Sequence, residues 1–243
     1  MLNNILFSII TVTLNSEKTI SQTVKSVLNQ KYKNFEYIIV DGMSNDNTLN
    51  IIKKFNSDKI KIVSEKDSGC YDAMNKGIEL AQGKWIHILN SDDEYRDEKA
   101  LYKAISYLDE NKLNYFKIDF LDINNLNIQN YSWDFFYPKM FIKACIPHPT
   151  IILSKKQYEK IGLYSEEYKI ASDHDLTLRA INIYKPIQHN YTLVEMKSNG
   201  MSRSNSQLVA REFRDVTINN GLPKFLAYLI YIYRKIKFLI INE

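Results

Sequence analysis

The chain has 243 residues, 45% hydrophobic and 25% charged, which is enough to bury one sizeable core in a single α/β domain with a modest appendage. Its formal net charge is +4, and acidic and basic residues are mixed along most of the chain, so no nucleic-acid partner is expected. The two cysteines, Cys70 and Cys145, lie in no paired-ligand spacing. They favour neither a disulfide framework nor a thiolate metal site, and they fit a reducing compartment.

The apolar run at the N-terminus does not have the features of a secretion signal. No basic region precedes it, and no small-residue cleavage site follows it. No stretch of about 18 or more uninterrupted apolar residues occurs along the chain. We therefore expect a cytoplasmic protein whose first apolar run is a buried strand.

The first half of the chain alternates strand patterns with helix patterns. β-Prone runs occupy residues 5–13, 36–41, 60–63 and 85–89. Amphipathic helix patterns occupy residues 17–30, 48–55, 71–81 and 99–111. This alternation predicts a single Rossmann-like, doubly wound and mostly parallel sheet.

The second half is less regular. Residues 114–140 suggest strands and a variable excursion, and a strand at 150–153, a helix at 155–161 and a helix starting near Asp173 follow. Residues 225–241 are apolar and aromatic but include three basic residues, so we predict a basic amphipathic helix on an anionic membrane surface. Packing on the domain or against a second chain is the alternative. We assign residues 1–215 to the main domain and 216–243 to this helical appendage.

Two adjacent carboxylates, Asp92 and Asp93, directly follow the fourth predicted strand. In open α/β sheets, ligands collect at the carboxyl ends of strands. Adjacent carboxylates are costly unless a cation or hydrogen-bond donors compensate their charge. Because Mg²⁺ or Mn²⁺ is commonly held by one or two carboxylates plus substrate phosphates, we predict a divalent-metal site for a nucleotide diphosphate. The alternative is an exposed acidic loop that caps the next helix.

Other polar side chains are expected to face the same crevice. Asp41 ends the second strand, where it can accept a hydrogen bond from a nucleobase N–H, although turn formation also explains it. Asp72 and Asn75 lie one helical turn apart and share a face. An Asp near a helix N-terminus also has a purely electrostatic reason to be there.

The segment at residues 171–179 opens a helix with two more carboxylates, Asp173 and Asp175. Capping accounts for one of them. Asp175 and Arg179 are spaced i, i+4, which predicts an ion pair between them. Asp173 is therefore the better candidate for a general base.

Five segments in the first half, taken together, resemble the family 2 glycosyltransferases of the GT-A fold. They lie between about Phe7 and Asp93 and read FSIITVTLN, SVLNQKY, EYIIVDGMSNDNT, SEKDSGCYDAMNKGI and LNSDD. The resemblance is strongest to bacterial enzymes that assemble capsule, exopolysaccharide and lipopolysaccharide O-antigen. It implies inverting transfer of a sugar from a nucleotide-diphosphate sugar, a UDP-sugar by default, to a glycan or polyprenyl-diphosphate-linked acceptor. The basic helix predicted at residues 225–241 adds the expectation of a cytoplasmic protein that lies peripherally on the inner face of the cell membrane.

The resemblance assigns donor-binding roles to five residues. Thr11 and Thr13 would line the nucleotide pocket, Asp41 would read the base, and Asp67 would lie near the nucleoside. Asp92 would contact the ribose.

Three further roles also come from the resemblance. Asp93 would meet the metal, Asp173 would be the base, and His148 would lie near the acceptor or the diphosphate. Ser172 stands where the family has Glu, which puts any auxiliary role of that carboxylate in doubt but leaves the base intact. Asn90 replaces an Asp that many relatives have.

Other classes of protein fit the sequence less well. A nucleotidyltransferase usually needs a glycine-rich phosphate loop near the N-terminus, but residues 9–19 contain no glycine. A dehydrogenase would need G-x-G-x-x-G after the first strand, and that motif is missing there. A membrane-surface scaffold without activity would not need acidic residues at so many strand and helix ends.

Overall fold

A computed structural model describes residues 6–121, 128–131, 135–197 and 206–241. The described strands belong to one sheet. They are β1 Phe7–Thr13, β2 Phe35–Asp41, β3 Ile60–Ser64, β4 Trp85–Ile88, β5 Glu94–Tyr95, β6 Lys112–Leu121, β7 Ile128–Tyr131, β8 Ile151–Ser154 and β9 Lys185–Lys197. The helices are α1 Ile20–Leu28, α2 Thr48–Lys53, α3 Cys70–Leu80, α4 Ala100–Ile105, α5 Tyr137–Met140, α6 Lys155–Ile161, α7 Ser172–Ile181, α8 Ser206–Asn219 and α9 Lys224–Ile241. One 3-10 turn covers His148–Thr150.

The strands are ordered β3-β2-β1-β4-β8-β6-β9-β5, and β7 pairs with β6. β3, β2, β1 and β4 are mutually parallel. β8 is antiparallel to both neighbours, β6 and β9 are parallel, and β5 is antiparallel to β9. The predicted α/β class, with a mostly parallel sheet, is confirmed.

Strand β1 lies between two apolar clusters, one on each face of the sheet. Ile9 belongs to the apolar cluster that contains Val24 of α1. Ile10 belongs to the cluster on the opposite face, which contains Ile78 of α3. Because side chains of a strand alternate between the two faces and both faces are buried, β1 is apolar along most of its length.

Several predicted bounds were wrong. The helix expected over residues 99–111 ends at Ile105, and residues from Lys112 form β6. A turn separates them, in which Asp109 accepts a hydrogen bond from the Asn111 backbone N–H. The predicted division between residues 215 and 216 falls inside α8, and it stays a prediction.

Other parts of the chain were not predicted as elements or lie outside the described residues. β5, β9 and α8 had no separate prediction. The excursion expected over residues 114–140 is described only in part, because 122–127 and 132–134 are outside the described residues. The C-terminal helix starts at Lys224, close to the predicted start. Within the described ranges, no helix combines the length and apolar character needed to cross a bilayer.

Gly83 lies where the chain enters β4 and passes very close to β1. A Cβ atom at this position would lie 2.6 Å from the carbonyl carbon of Phe7 and 2.6 Å from the nitrogen of Ser8. Both are backbone atoms of a central strand, so they cannot move aside as a flexible side chain can. The backbone N–H of Gly83 also donates to the Ser8 hydroxyl at 2.8 Å.

We predict that Gly83→Ala lowers the free energy of unfolding by about 1–3 kcal/mol, because overpacking displaces backbone. Gln82→Ala is the matched control, since Gln82 is exposed and its change should have little effect. Chemical denaturation of the three proteins measures the difference. Equal stability of Gly83→Ala and the unchanged protein would show that the strand spacing is not as tight as described.

Candidate active site

The carboxyl ends of the parallel strands β1, β2 and β3 lie side by side, so the polar residues that end these strands are neighbours. Thr13 of β1 pairs with Asp41 of β2, and Asp41 pairs with Ser64 of β3. Asp41 is fully buried, and its carboxylate accepts hydrogen bonds from the Ser44 backbone N–H at 3.1 Å and the Ser64 hydroxyl at 2.6 Å. These donors explain Asp41 as part of a turn, so its role in reading a base stays a prediction.

The two threonines of β1 have different surroundings. Thr11 is fully buried, donates to the Leu89 carbonyl at 2.7 Å and accepts from the Tyr37 hydroxyl at 3.0 Å. These contacts hold the Thr11 side chain inside the core, and its role in lining the nucleotide pocket stays a prediction. Thr13, at the end of the strand, is 5% exposed, and its hydroxyl has no hydrogen-bond partner among the described residues. A buried hydroxyl without a partner is costly, so Thr13 suits contact with a ligand.

Asp67 lies against the backbone at Gly42, directly after β2. A Cβ atom at Gly42 would come within 2.4 Å of Asp67 Oδ2, so a larger residue at position 42 would displace this carboxylate. Desolvation by burial raises the pKa of Asp67, and the charges of Asp72 and Asp41 raise it further. Asp67 and Asp41 therefore share one negatively charged corner of the crevice.

Asp72 and Asn75 share a face of α3, as predicted from their spacing, and both are engaged by the protein. Asp72 accepts from the Ser68 backbone N–H at 2.8 Å and pairs with Lys76 at 3.3 Å. The Ser68 N–H and then Lys76 lower the pKa of Asp72. Asn75 is buried, and its amide donates to and accepts from the backbone of Tyr164, both at 2.9 Å. These contacts give both residues a structural role.

The acidic loop after β4 packs against the loop after β1. Asp93 is fully buried, and its Oδ2 accepts from the Asn90 amide at 2.9 Å. The hydroxyls of Ser91 and Ser16 lie 3.0 Å apart and join the two loops. Asp92 is half-buried beside them.

The residues present fit a divalent ion only when it is shared with a substrate. In the described part of the chain, no group of three or more His, Cys, Asp or Glu side chains is arranged to hold a metal ion. A buried carboxylate at a strand end supplies one ligand, and substrate phosphates commonly supply others to Mg²⁺ or Mn²⁺. Asp93 therefore fits a metal bound together with a diphosphate.

Asp173 lies in the first turn of α7 and is half-buried. Its Oδ1 accepts from the His174 backbone N–H at 2.8 Å and from the Tyr71 hydroxyl at 3.3 Å. Burial raises the pKa of Asp173 to about 6. A carboxylate with this pKa is ionised at neutral pH and is a stronger base than an ordinary Asp. The ion pair predicted between Asp175 and Arg179 is present at 2.9 Å.

His148 joins this group through two tyrosines that sequence analysis did not single out. Its Nε2 lies 2.6 Å from the Tyr164 hydroxyl, and burial lowers its pKa to about 4, so the imidazole is neutral. The ring of Tyr164 stacks on that of Tyr71, with centroids 5.7 Å apart. The Tyr71 hydroxyl in turn donates to Asp173. Tyr71 lies in the segment SEKDSGCYDAMNKGI, but nothing in that segment shows which distant carboxylate its hydroxyl meets.

Comparison with known proteins defines the class of protein that this fold and site represent. The profile of the family described as "Glycosyl transferase family 2" matches residues 8–158, more than half of the chain. A PGL/p-HBAD biosynthesis glycosyltransferase of Mycobacterium tuberculosis is 27% identical over 213 residues, covering 86% of this chain and 82% of the relative. An uncharacterized glycosyltransferase of the same organism is 30% identical over 200 residues, covering 80% and 76%. This chain belongs to glycosyl transferase family 2.

Solved structures share the fold. Residues 1–349 of S. aureus TarS in complex with UDP-GlcNAc superpose with a TM-score of 0.72 at 21% identity, covering 96% of this chain and 73% of TarS. The mannosyltransferase PcManGT from Pyrobaculum calidifontis, in complex with GDP-Man and Mn²⁺, superposes with a TM-score of 0.65 at 15% identity, covering 94% and 68%. The predicted GT-A fold is confirmed by this likeness.

We predict that Asn75→Ala lowers the free energy of unfolding in the absence of any ligand. The change leaves a backbone N–H and a carbonyl of Tyr164 without their partners, and each buried unsatisfied group costs about 1–3 kcal/mol. Lys76→Ala, next along the same helix, is the control because the ion pairs of Lys76 are partly exposed and its hydrogen bond to the Lys66 carbonyl is exposed. If Asn75→Ala keeps full stability and loses only donor binding, Asn75 is a ligand-binding residue instead.

Proposed function

We propose that this chain transfers one sugar from a nucleotide-diphosphate sugar to a hydroxyl of a glycan or lipid-linked glycan, with inversion at the anomeric carbon. The observation that carries this proposal is Asp173, a half-buried carboxylate with its pKa raised to about 6. Tyr71 connects it to the N-terminus of α3, which follows the loop that holds Asp67. A base therefore lies beside the region to which the donor is assigned.

The transfer is a single displacement. Asp173 takes the proton of the acceptor hydroxyl as the acceptor oxygen forms a bond to the anomeric carbon. The bond between that carbon and the diphosphate oxygen breaks, and the diphosphate leaves with the electron pair. Attack from the side opposite the leaving group inverts the anomeric configuration, and the protein contributes mainly by holding both reactants in line.

The donor is assigned to the crevice at the ends of β1, β2 and β4. Thr13 and Asp67 line the nucleotide pocket, Asp41 reads the base, and Asp92 contacts the ribose. Asp93 would hold Mn²⁺ or Mg²⁺, which when bound neutralises charge on the departing diphosphate. A UDP-sugar is the default donor, and the UDP-GlcNAc complex of TarS supports this choice. The GDP-Man and Mn²⁺ complex of PcManGT supports the metal and shows that the fold accepts another base.

The acceptor is proposed to belong to bacterial surface polysaccharide, such as O-antigen or capsule, with His148 near it. The name of the Mycobacterium tuberculosis relative, a PGL/p-HBAD biosynthesis enzyme, supports a biosynthetic role. His148 is neutral and hydrogen-bonded to Tyr164, so it can contact an acceptor hydroxyl without adding charge.

A screen of UDP-, GDP- and dTDP-sugars with Mn²⁺, read out as release of the nucleoside diphosphate, identifies the donor. With that donor, Asp173→Asn should lower turnover by about 100-fold or more, because general-base catalysis contributes that much, while donor binding persists. Asp93→Ala should weaken metal-dependent donor binding. Asp58→Asn, an exposed surface change, is the control and should leave both unchanged. Full activity of either site variant would remove the role given to that residue.

Helix α9 is proposed to place the protein on the inner face of the cell membrane, in the cytoplasm. Phe225, Leu229, Ile232 and Ile236 recur at helical spacing and are between 51% and 66% exposed. Ala227, on the opposite face, is 1% exposed and packs on the domain. An exposed apolar stripe on a basic helix suits the headgroup region of an anionic bilayer.

Leu229→Glu and Ile232→Glu should each reduce binding to anionic phosphatidylglycerol vesicles by about tenfold or more, since burying one such side chain contributes about 1.5–3 kcal/mol. Ile142→Glu, an exposed apolar position away from α9, is the control. Vesicle flotation measures bound protein, with neutral phosphatidylcholine vesicles for comparison. Unchanged flotation of the α9 variants, or a dimer in solution that they disrupt, would contradict the membrane assignment.

A further inference from the structure

Glu212 of α8 makes an unusual set of contacts with a distant loop. The residue is 7% exposed. Its carboxylate accepts three backbone hydrogen bonds, from the N–H groups of Lys169 at 2.9 Å, Ile170 at 2.8 Å and Ala171 at 3.0 Å. These three residues immediately precede α7 and Asp173.

The loop depends on this carboxylate because it has no regular secondary structure of its own. Residues 169–171 belong to neither a helix nor a strand, so their N–H groups have no ladder or helix partner. Buried backbone N–H groups without partners are costly. One ionised side chain satisfies all three, and hydrogen bonds to charged groups are stronger than neutral ones.

A second contact holds the same loop from the opposite side. The Tyr71 hydroxyl donates to the Ile170 carbonyl at 2.7 Å and also lies 3.3 Å from Asp173 Oδ1. Glu212 therefore holds the N–H side of the loop, and Tyr71 holds a carbonyl of the loop together with the Asp173 carboxylate.

Helix α8 also contacts the residue that follows Asp173. The ring of His174 stacks on Phe213, with centroids 4.5 Å apart and planes 9° from parallel. Consecutive residues of α8, Glu212 and Phe213, thus contact the chain on both sides of Asp173.

We propose that Glu212 is the positioning residue for Asp173: it holds residues 169–171 so that the Asp173 carboxylate faces the acceptor hydroxyl. This inference rests on the proposed role of Asp173 as the base. Glu212 itself does not contact the reacting atoms in this proposal.

The charge of Glu212 allows the proposal to be tested by the pH dependence of the reaction as well as by stability. Burial is the main cause of the raised pKa of Asp173, the Tyr71 hydroxyl opposes it, and the negative charge of Glu212 adds to it. Cys70 and Tyr164 also face Asp173, and both are neutral because burial raises their pKa values. Removing the Glu212 charge should therefore lower the pKa of Asp173. Because the base works when deprotonated, kcat/KM should begin to rise at a lower pH.

The test compares Glu212→Gln with Asp215→Asn in release of the nucleoside diphosphate from the donor found in the screen. The amide of Gln presents N–H donors to a loop that also donates, so at least one of the three bonds is lost. We expect kcat of Glu212→Gln to fall by about tenfold or more with little change in KM, because misplacing a reacting group lowers the rate of the bound complex. The acid limb of the pH profile should move to lower pH.

Asp215→Asn removes a charge of the same sign from the same helix, where Asp215 contacts Arg214 rather than the loop. Its kcat and the acid limb of its pH profile should equal those of the unchanged protein. Hydrogen exchange gives a readout that needs no substrate: amides of residues 169–171 should exchange faster in Glu212→Gln than in Asp215→Asn. If Glu212→Gln does not fold, Glu212→Asp is used, since its shorter side chain withdraws the carboxylate from the loop and should also lower kcat.

The outcomes separate this inference from the function it rests on. Unchanged kcat, acid limb and amide exchange in the folded Glu212 variant, with Asp173→Asn inactive, would overturn the positioning role and leave the transfer mechanism in place. Full activity of Asp173→Asn would overturn both. Loss of kcat equal in Glu212→Gln and Asp215→Asn would also overturn the positioning role, because it would reflect charge on α8 in general.

Discussion

Parallel pairing of β1 with β2 and β4 is the constraint on which the rest of the structure depends. Parallel strands point the same way, so the residues that end β1 and β2 and the loop that follows β4 meet at one edge. Both faces of these strands are buried in apolar clusters, so a polar side chain within a strand needs a hydrogen-bond partner, as Thr11 has in the Leu89 carbonyl. That arrangement pairs Thr13 with Asp41 at the ends of neighbouring strands and places Asp93 in the loop after β4.

Within that crevice, local donors decide what each carboxylate can do. Asp72 receives a backbone N–H and a lysine, which lower its pKa and tie it to the protein. Asp67 has a raised pKa because it is desolvated and close to other acids. Desolvation of the half-buried Asp173 carboxyl outweighs the hydrogen bonds that it accepts from the His174 N–H and the Tyr71 hydroxyl, so its pKa rises to about 6. Aspartates at similar positions therefore differ in pKa, because their surroundings supply different numbers of hydrogen-bond donors and neighbouring charges.

The elements around β1 to β4 could be predicted because each has a clear period, and the family segments lie in the same half of the chain. Strand alternation shows that Thr11 and Thr13 share a face. It does not show that Thr11 bonds within the core while the buried Thr13 hydroxyl has no hydrogen-bond partner among the described residues. α8 had no separate prediction although it is amphipathic, with Ala210, Phe213 and Val216 buried at helical spacing. Tyr71, Tyr164 and Glu212 act through partners that are distant in sequence, and no local signal shows those partners.

The C-terminal helices pack against the rest of the described chain. Val216 of α8 is fully buried in the cluster that contains Ile10 of β1, so α8 packs into the core of the domain. Glu212 and Phe213 hold the chain on either side of Asp173. Arg234 of α9 lies 3.6 Å from the centre of the Phe213 ring. A helix proposed to lie on lipid thus contacts, through Phe213, the segment that carries the proposed base. The orientation of the protein on a membrane would therefore also set the direction from which a lipid-linked acceptor reaches Asp173.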